Sequence, residues 1–210
     1  MATIEIPITT GIGGDAFISS SGATNNYGAH QWNQMDSNMI SKFLIRFDLS
    51  GMSGEAEISA AKIKFYQANS VAYTVGVSAY KVSDANGDWI EGIGTGGTAL
   101  EDENCWNAKK ADGSGGVKTA WAGAAGLATA GTDYVNTVIA SASVDWSGAI
   151  GTLNEVPFNA DGLAVLESWC GEATNNGMLF VCDHTSSYRW NTKNVATAGL
   201  RPVLEITYTS

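Results

Sequence analysis

Hydrophobic residues recur in steps of two through several stretches of this chain, the period of a strand with one buried face. In residues 43–49, Phe43, Ile45, Phe47 and Leu49 point one way, and Leu44, Arg46 and Asp48 the other. Residues 61–65 repeat the pattern, with Ile63 and Phe65 inward and Lys62 and Lys64 outward. Residues 73–79 alternate through Tyr73, Val75, Val77 and Ala79. Residues 178–182 and 203–208 read the same way, the second placing Leu204, Ile206 and Tyr208 on one side. Residues 4–8 and 16–20 are the expected first strands, and Pro7, which has no N–H to give a ladder, sends the first to a sheet edge. One stretch stands out as helical. Asp161 is placed to cap residues 162–169, Leu163, Leu166 and Trp169 adjoin at helical spacing, and Gly171 closes the end. Between residues 84 and 158 the alternation degrades into Gly- and Ala-rich runs such as 92–98 and 119–132, expected to be long loops decorating one end. With no linker, low-complexity spacer or internal repeat, the expectation is one all-β sandwich domain over residues 1–210, with one short helix over a sandwich end.

Composition narrows the partners. Hydrophobic residues make up 44% and charged residues only 15%, enough apolar material for a proper core and far from a disordered profile. The net charge of −10 and the 11 Lys and Arg, with no basic stripe, argue against nucleic acid and against acidic polysaccharides. A neutral glycan or another protein is the easier partner. No apolar run approaches the roughly 20 residues that span a bilayer, so no membrane insertion is expected. The N-terminal MATIEIPITTGIGG has neither a basic n-region nor an apolar h-region, and reads as a chain without its own secretory signal. Cys105, Cys170 and Cys182 cannot all pair with one another, and buried free thiols are expected over one disulfide.

The candidate chemistry is binding chemistry. His30 and His184 sit in polar, loop-like surroundings, and no nucleophile elbow, zinc-protease or phosphate-loop motif is present, so no catalytic centre is expected. Calcium is the one cofactor the spacing offers: Asp84, Asn86 and Asp88 at alternating positions, with Glu91 beyond, place oxygen ligands as calcium loops do. Residues 101–104 (EDEN) offer more from a neighbouring loop, although a solvated Asn-Gly turn explains the same residues. Among the seven Trp, Trp32, Trp121, Trp146 and Trp190 lie in loop-like sequence, Tyr27 and Tyr188 beside two of them. Exposed rings there would stack on sugars or partners; the plainer reading is that they plug the sandwich ends or a subunit interface.

The motifs FLIRFDLS (43–50) and AKIKFY (61–66), with DAFISSS…NNYG (15–28) and DWIEG (88–92), resemble the DNRLRE domain family. CWN (105–107) is similar to that family's TWN-type motif, ESWCGEATNNGMLF (167–180) to its helix, turn and strand, and LRPVLEITY (200–208) to its last strand. The resemblance runs in order over nearly the whole chain and implies a jelly-roll β-sandwich of two antiparallel sheets. It also implies an accessory role: relatives include carbohydrate-binding modules of polysaccharide-degrading enzymes, proteins linked to archaeal cell disaggregation and phage structural proteins. Arg46 and Arg201 follow the family motif and are expected to tie strand ends to a carboxylate or carbonyl. The expected function is therefore a structural or adhesive protein at a virion or extracellular surface, such as a capsid decoration or fibre-associated domain. Its expected partners are copies of itself, which would tie down the chain ends, other structural proteins, or neutral glycans. The alternative is a carbohydrate-binding module of a secreted polysaccharide-degrading enzyme, and for any binding the long loops of residues 84–158 are the first place to look.

Overall fold

Each stretch of alternating hydrophobicity forms a strand in the computed structural model, which describes residues 1–8, 14–36, 41–172 and 175–209. Residues 173 and 174 of the 167–180 motif lie outside the described residues. In chain order the strands are β1 (Ala2–Pro7), β2 (Gly14–Ser19), β3 (Trp32–Met35), β4 (Ser41–Arg46), β5 (Glu57–Tyr66), β6 (Thr74–Val82), β7 (Ala108–Ala111), β8 (Val117–Ala120), β9 (Tyr134–Asp145) and β10 (Leu153–Pro157). The helix α1 (Ala160–Glu167) follows, then β11 (Met178–Cys182), β12 (Tyr188–Asn191) and β13 (Val203–Thr209). One sheet has the order β1-β13-β5-β10 and the other β2-β4-β11-β6-β9, every neighbouring pair antiparallel. With β2 set aside as an added edge, late strands interleave with early ones in both sheets, the jelly-roll arrangement of an all-β sandwich. Pro7 sits on β1, an edge strand, where its missing N–H costs no ladder bond.

The core lies between the sheets. Ile63, Phe65, Leu204 and Ile206 face Phe43, Ile45, Val77, Met178 and Phe180, all essentially inaccessible. Each such ring or aliphatic side chain stabilises the fold by about 1.5–3 kcal/mol relative to exposure. Tyr73 departs from the expected inward face: it precedes β6 by one residue and is 52% exposed, while Val75, Val77 and Ala79 point in as expected. The two ends of the sandwich are closed differently. The N–H of Ile58, near the start of β5, donates to Glu167 Oε1 of α1 at 2.7 Å, whereas Gln67, just past its end, bridges to Trp190. The helix cap is Asn159, not Asp161; its Oδ1 accepts from the Gly162 N–H at 2.9 Å, and Asp161 lies within the first turn. Leu166 and Trp169 are buried and Leu163 half-buried as the spacing predicts, and Gly171 adopts φ +72° beyond the helix.

The segment 84–158 does not decorate one end. Its first part, residues 84–133 including the β7–β8 hairpin, folds over the outer face of the five-stranded sheet, and its second part supplies β9 and β10. Trp89, Trp121 and Leu127 pack there on Ile18, Leu44, Val82 and Leu179, so β4 is buried on both faces. Polar anchors hold this cover. Arg46 lies over the Trp89 ring at 4.5 Å and donates to the Gly87 carbonyl at 2.7 Å. Lys42 Nζ donates to the Leu127 carbonyl at 2.9 Å. Fully buried Asn86 donates to Asp133 and accepts from the Ala122 N–H. Arg201 donates to the Val195 carbonyl at 3.2 Å, a strand-end tie of the expected kind. Cys105, Cys170 and Cys182 are free and buried.

Candidate functional site

Four of the six aromatic residues singled out in the sequence are core: Trp121 and Trp146 keep the loop positions expected of them but are buried, whereas Tyr188 and Trp190 lie in β12 rather than in a loop. Trp146, Tyr188 and Trp190 are at most 1% exposed and form one aromatic stack closing the sandwich at the Gln67 end. Trp190 lies flat on Phe65, centroids 4.1 Å apart and planes 5° from parallel, and its Nε1–H donates to Asn154 Oδ1 at 3.0 Å. Trp121 is buried under the 84–133 cover, its Nε1–H donating to the Cys105 and Trp106 carbonyls. A large ring saves more free energy by leaving water than by waiting on the surface, and each indole N–H but that of Trp146 finds an acceptor. That count covers Trp89, Trp121, Trp146 and Trp190.

Trp32 and Tyr27 remain half-exposed, on either side of the buried Phe17 ring. Arg189 already covers a Trp32 face at 3.9 Å, and His30 approaches it at 4.0 Å. The recess lined by Ala29, His30, Gln31, Trp32 and Thr95 holds about 240 Å3. Burial and then the Arg189 charge push the His30 imidazole below its ordinary range, keeping this recess free of a further cation.

The four residues of the calcium pattern do not converge. Asp84 accepts from Asn176 Nδ2 and pairs with Lys81, and these contacts lower its pKa. Asn86 turns inward to Asp133. Asp88 pairs with Lys109 and Lys110 at 2.7 Å each, which holds it down to about 2 against the opposing effect of burial. Glu91 contacts Lys193. The short turn of residues 84–86 points these side chains in different directions, so their alternation in sequence has no common focus. Of the 101–104 run, Glu103 accepts from the N–H groups of Ile93 and Leu100, while Glu101 and Asp102 pair with Lys118. Among the described residues no group of three His, Cys, Asp or Glu is arranged to hold a metal.

The concavity that sequence reasoning missed is on the uncovered half of the five-stranded sheet's outer face. Outward positions of β6 and β9 carry Gly76, Ser78, Tyr80, Ser141 and Ser143, and Val181 and Asp183 come from β11 and the residue after it. They enclose a groove of about 590 Å3. Asp183 folds closely over Gly76: a Cβ there would lie 2.4 Å from Asp183 Oδ2, and the Gly76 N–H donates to Asp183 Oδ1 at 2.9 Å. Tyr80 lines the groove and pairs with Tyr134, ring centroids 5.0 Å apart. Tyr73 lies outside the lining, its ring 4.5 Å from His184, whose Nδ1 is 2.6 Å from the Tyr188 hydroxyl. Serine and glycine on a sheet face resemble ordinary solvated positions, so nothing in the sequence marked this groove. No family model matches the chain, and no curated protein matches it.

Proposed function

We propose that this chain is a non-catalytic structural and adhesive β-sandwich of a virion or comparable surface assembly, and that it holds a neutral glycan in the groove of the five-stranded sheet. The groove carries the reading: serine hydroxyls and the Asp183 carboxylate form a polar floor, with the Tyr80 ring beside it and no Lys or Arg among the described lining residues. Sugar rings present C–H faces to aromatic rings and hydroxyls to such a floor. Asp183 is the only carboxylate among the described lining residues, and glycoside cleavage by acid/base chemistry uses two. The net charge of −10 favours neutral over acidic polymers. The resemblance to DNRLRE domains, with their phage and accessory members, supports placement on an assembled surface.

A second reading, a carbohydrate-binding module that anchors a polysaccharide-degrading enzyme, draws on the same groove. Calorimetric titration with neutral and uronate oligosaccharides tests both. Binding of a neutral glycan is expected, weakened about tenfold by Tyr80→Ala, the equivalent of roughly 1.4 kcal/mol. Ser141→Trp, which fills the groove, is expected to abolish it. Absence of binding across the neutral panel, or binding unchanged in Ser141→Trp, overturns the groove assignment. Sedimentation separates the rest: a self-associating chain supports the assembly reading, and a monomer at high concentration removes it.

A further inference from the structure

Three residues far apart in sequence meet away from the groove, in a pocket of backbone behind β2. Lys193 Nζ contacts Glu91 Oε2, with side chains only 12% and 15% exposed. No other ion pair among the described residues has both side chains so enclosed. Asp15 is completely buried beside them. Its Oδ2 accepts from the Lys193 N–H at 3.1 Å and from Asn33 Nδ2 at 3.5 Å, while its own N–H donates to Glu91 Oε1 at 3.1 Å. Asp15 Oδ1 has no partner, an orphan acceptor inside the fold. Gly14 and Gly28 let the chain close in: a Cβ on Gly14 would stand 3.2 Å from Glu91 Oε2, and one on Gly28 would stand 2.2 Å from the Glu91 carbonyl oxygen.

This arrangement is hard to explain as a plain ion pair. Two carboxylates and one ammonium leave a net negative charge in a site nearly sealed from water, and such charge is expensive to keep. Burial, then the Glu91 charge, hold the Asp15 carboxyl well above the ordinary range, and burial raises Glu91 too. A protonated Asp15 lies within hydrogen-bonding reach of the Glu91 carboxyl, giving its otherwise orphaned oxygen a role as donor. With Asp15 protonated, the Lys193 and Glu91 charges balance and the pocket carries no net charge.

We propose that Lys193 and Glu91 join in an intramolecular isopeptide bond, with Asp15 as the acid–base group that assists its formation. Within the contact pair a proton passes from Lys193 Nζ to the Glu91 carboxylate, and the amine so formed adds to Cδ of the resulting acid, while the Asp15 acid donates a hydrogen bond to the oxygen that gains charge. The C–N bond forms, and Asp15 relays a proton from nitrogen to the departing hydroxyl. The C–O bond then breaks, one water leaves, Asp15 recovers its proton, and a neutral amide replaces both charges. No oxidant or cofactor is consumed. Fixed contact supplies the effective concentration that such a condensation lacks between free groups in water. The link would fasten the entry of the 84–133 cover to the segment after β12, and through Asp15 to β2.

Intact mass of the full-length purified chain is the test. The wild type is expected lighter than the unlinked linear chain by one water, and proteolysis is expected to release a branched peptide joining Glu91 to Lys193. Lys193→Arg should restore the full mass and lower the melting temperature by roughly 10 °C or more, given a closed loop of this size. Asp15→Asn, checked for native far-UV circular dichroism, should carry the full mass or link far more slowly. If a variant fails to fold, the wild-type mass and branched peptide still decide. Wild type at its full mass after prolonged incubation overturns the bond, and Asp15→Asn linking at the wild-type rate overturns the role of Asp15. Neither outcome touches the glycan groove.

Discussion

Trp190 joins several contacts in one side chain: a flat stack on Phe65, edge contacts with Phe43 and Phe180, and a hydrogen bond to Asn154. Trp190→Ala is therefore expected to cost about 3–5 kcal/mol, read as a lower urea midpoint with unchanged slope. Lys42 is the opposite kind of residue, an ammonium 3% exposed that donates to a single backbone carbonyl. Burial lowers its pKa to about 8, only partly opposed by Asp133. The folded value lies below the unfolded one, so between about pH 8 and 10.5 the unfolded chain binds more protons and stability rises with pH. Below that window the charged, buried amine is a liability of up to about 3 kcal/mol. Lys42→Met is expected to remove this rise, so urea midpoints of variant and wild type should converge as pH climbs through the window. Parallel midpoints across it would show that Lys42 does not titrate this way.

At the scale of elements, legibility in sequence followed regularity of pairing. The strands β5, β6 and β13 were readable because period two survives along most of each one, whereas β4 and β11, buried nearly throughout, stand out as short apolar runs. The strand β9 was not. Its register on β6 slips twice, at Ala79/Tyr80 and Tyr80/Val82, and Ile139 and Ala140 are buried consecutively, which destroys the alternation. The four-residue strands β3 and β12 form a two-stranded sheet of their own, and β12 carries the Tyr188 and Trp190 plugs, so they read as loops. The helix was legible to within two residues, its cap misassigned by two positions because Asn159 and Asp161 are both good caps and only geometry separates them. Asn159→Ala is accordingly expected to cost about 1 kcal/mol, and Asp161→Ala no more than a few tenths, by thermal or urea unfolding.

Across the whole molecule, the two proposed functional regions sit on different architectural features. The groove uses the half of the outer sheet face left bare by the 84–133 cover. The Asp15–Glu91–Lys193 cluster lies where that cover begins, and its contacts span sequence separations of 76, 102 and 178 residues. A covalent link there would suit a surface assembly exposed to mechanical load and proteases, because it would hold the cover down while leaving the glycan face free.

The sequence by itself determined the all-β class, the main strands and their inward faces, the short helix, and a charge balance unsuited to polyanions. These are local or summed properties: period two records that one face leaves water, and composition records total charge. Tertiary structure alone decided where the tryptophans went, why the calcium pattern disperses, which half of a sheet face stays open, and that an acid, a second acid and an amine share one buried site. Burial has no signature telling a side chain what will cover it, so the partners of Trp190, Asn86 and Asp15 appear only when segments more than thirty residues apart close upon one another.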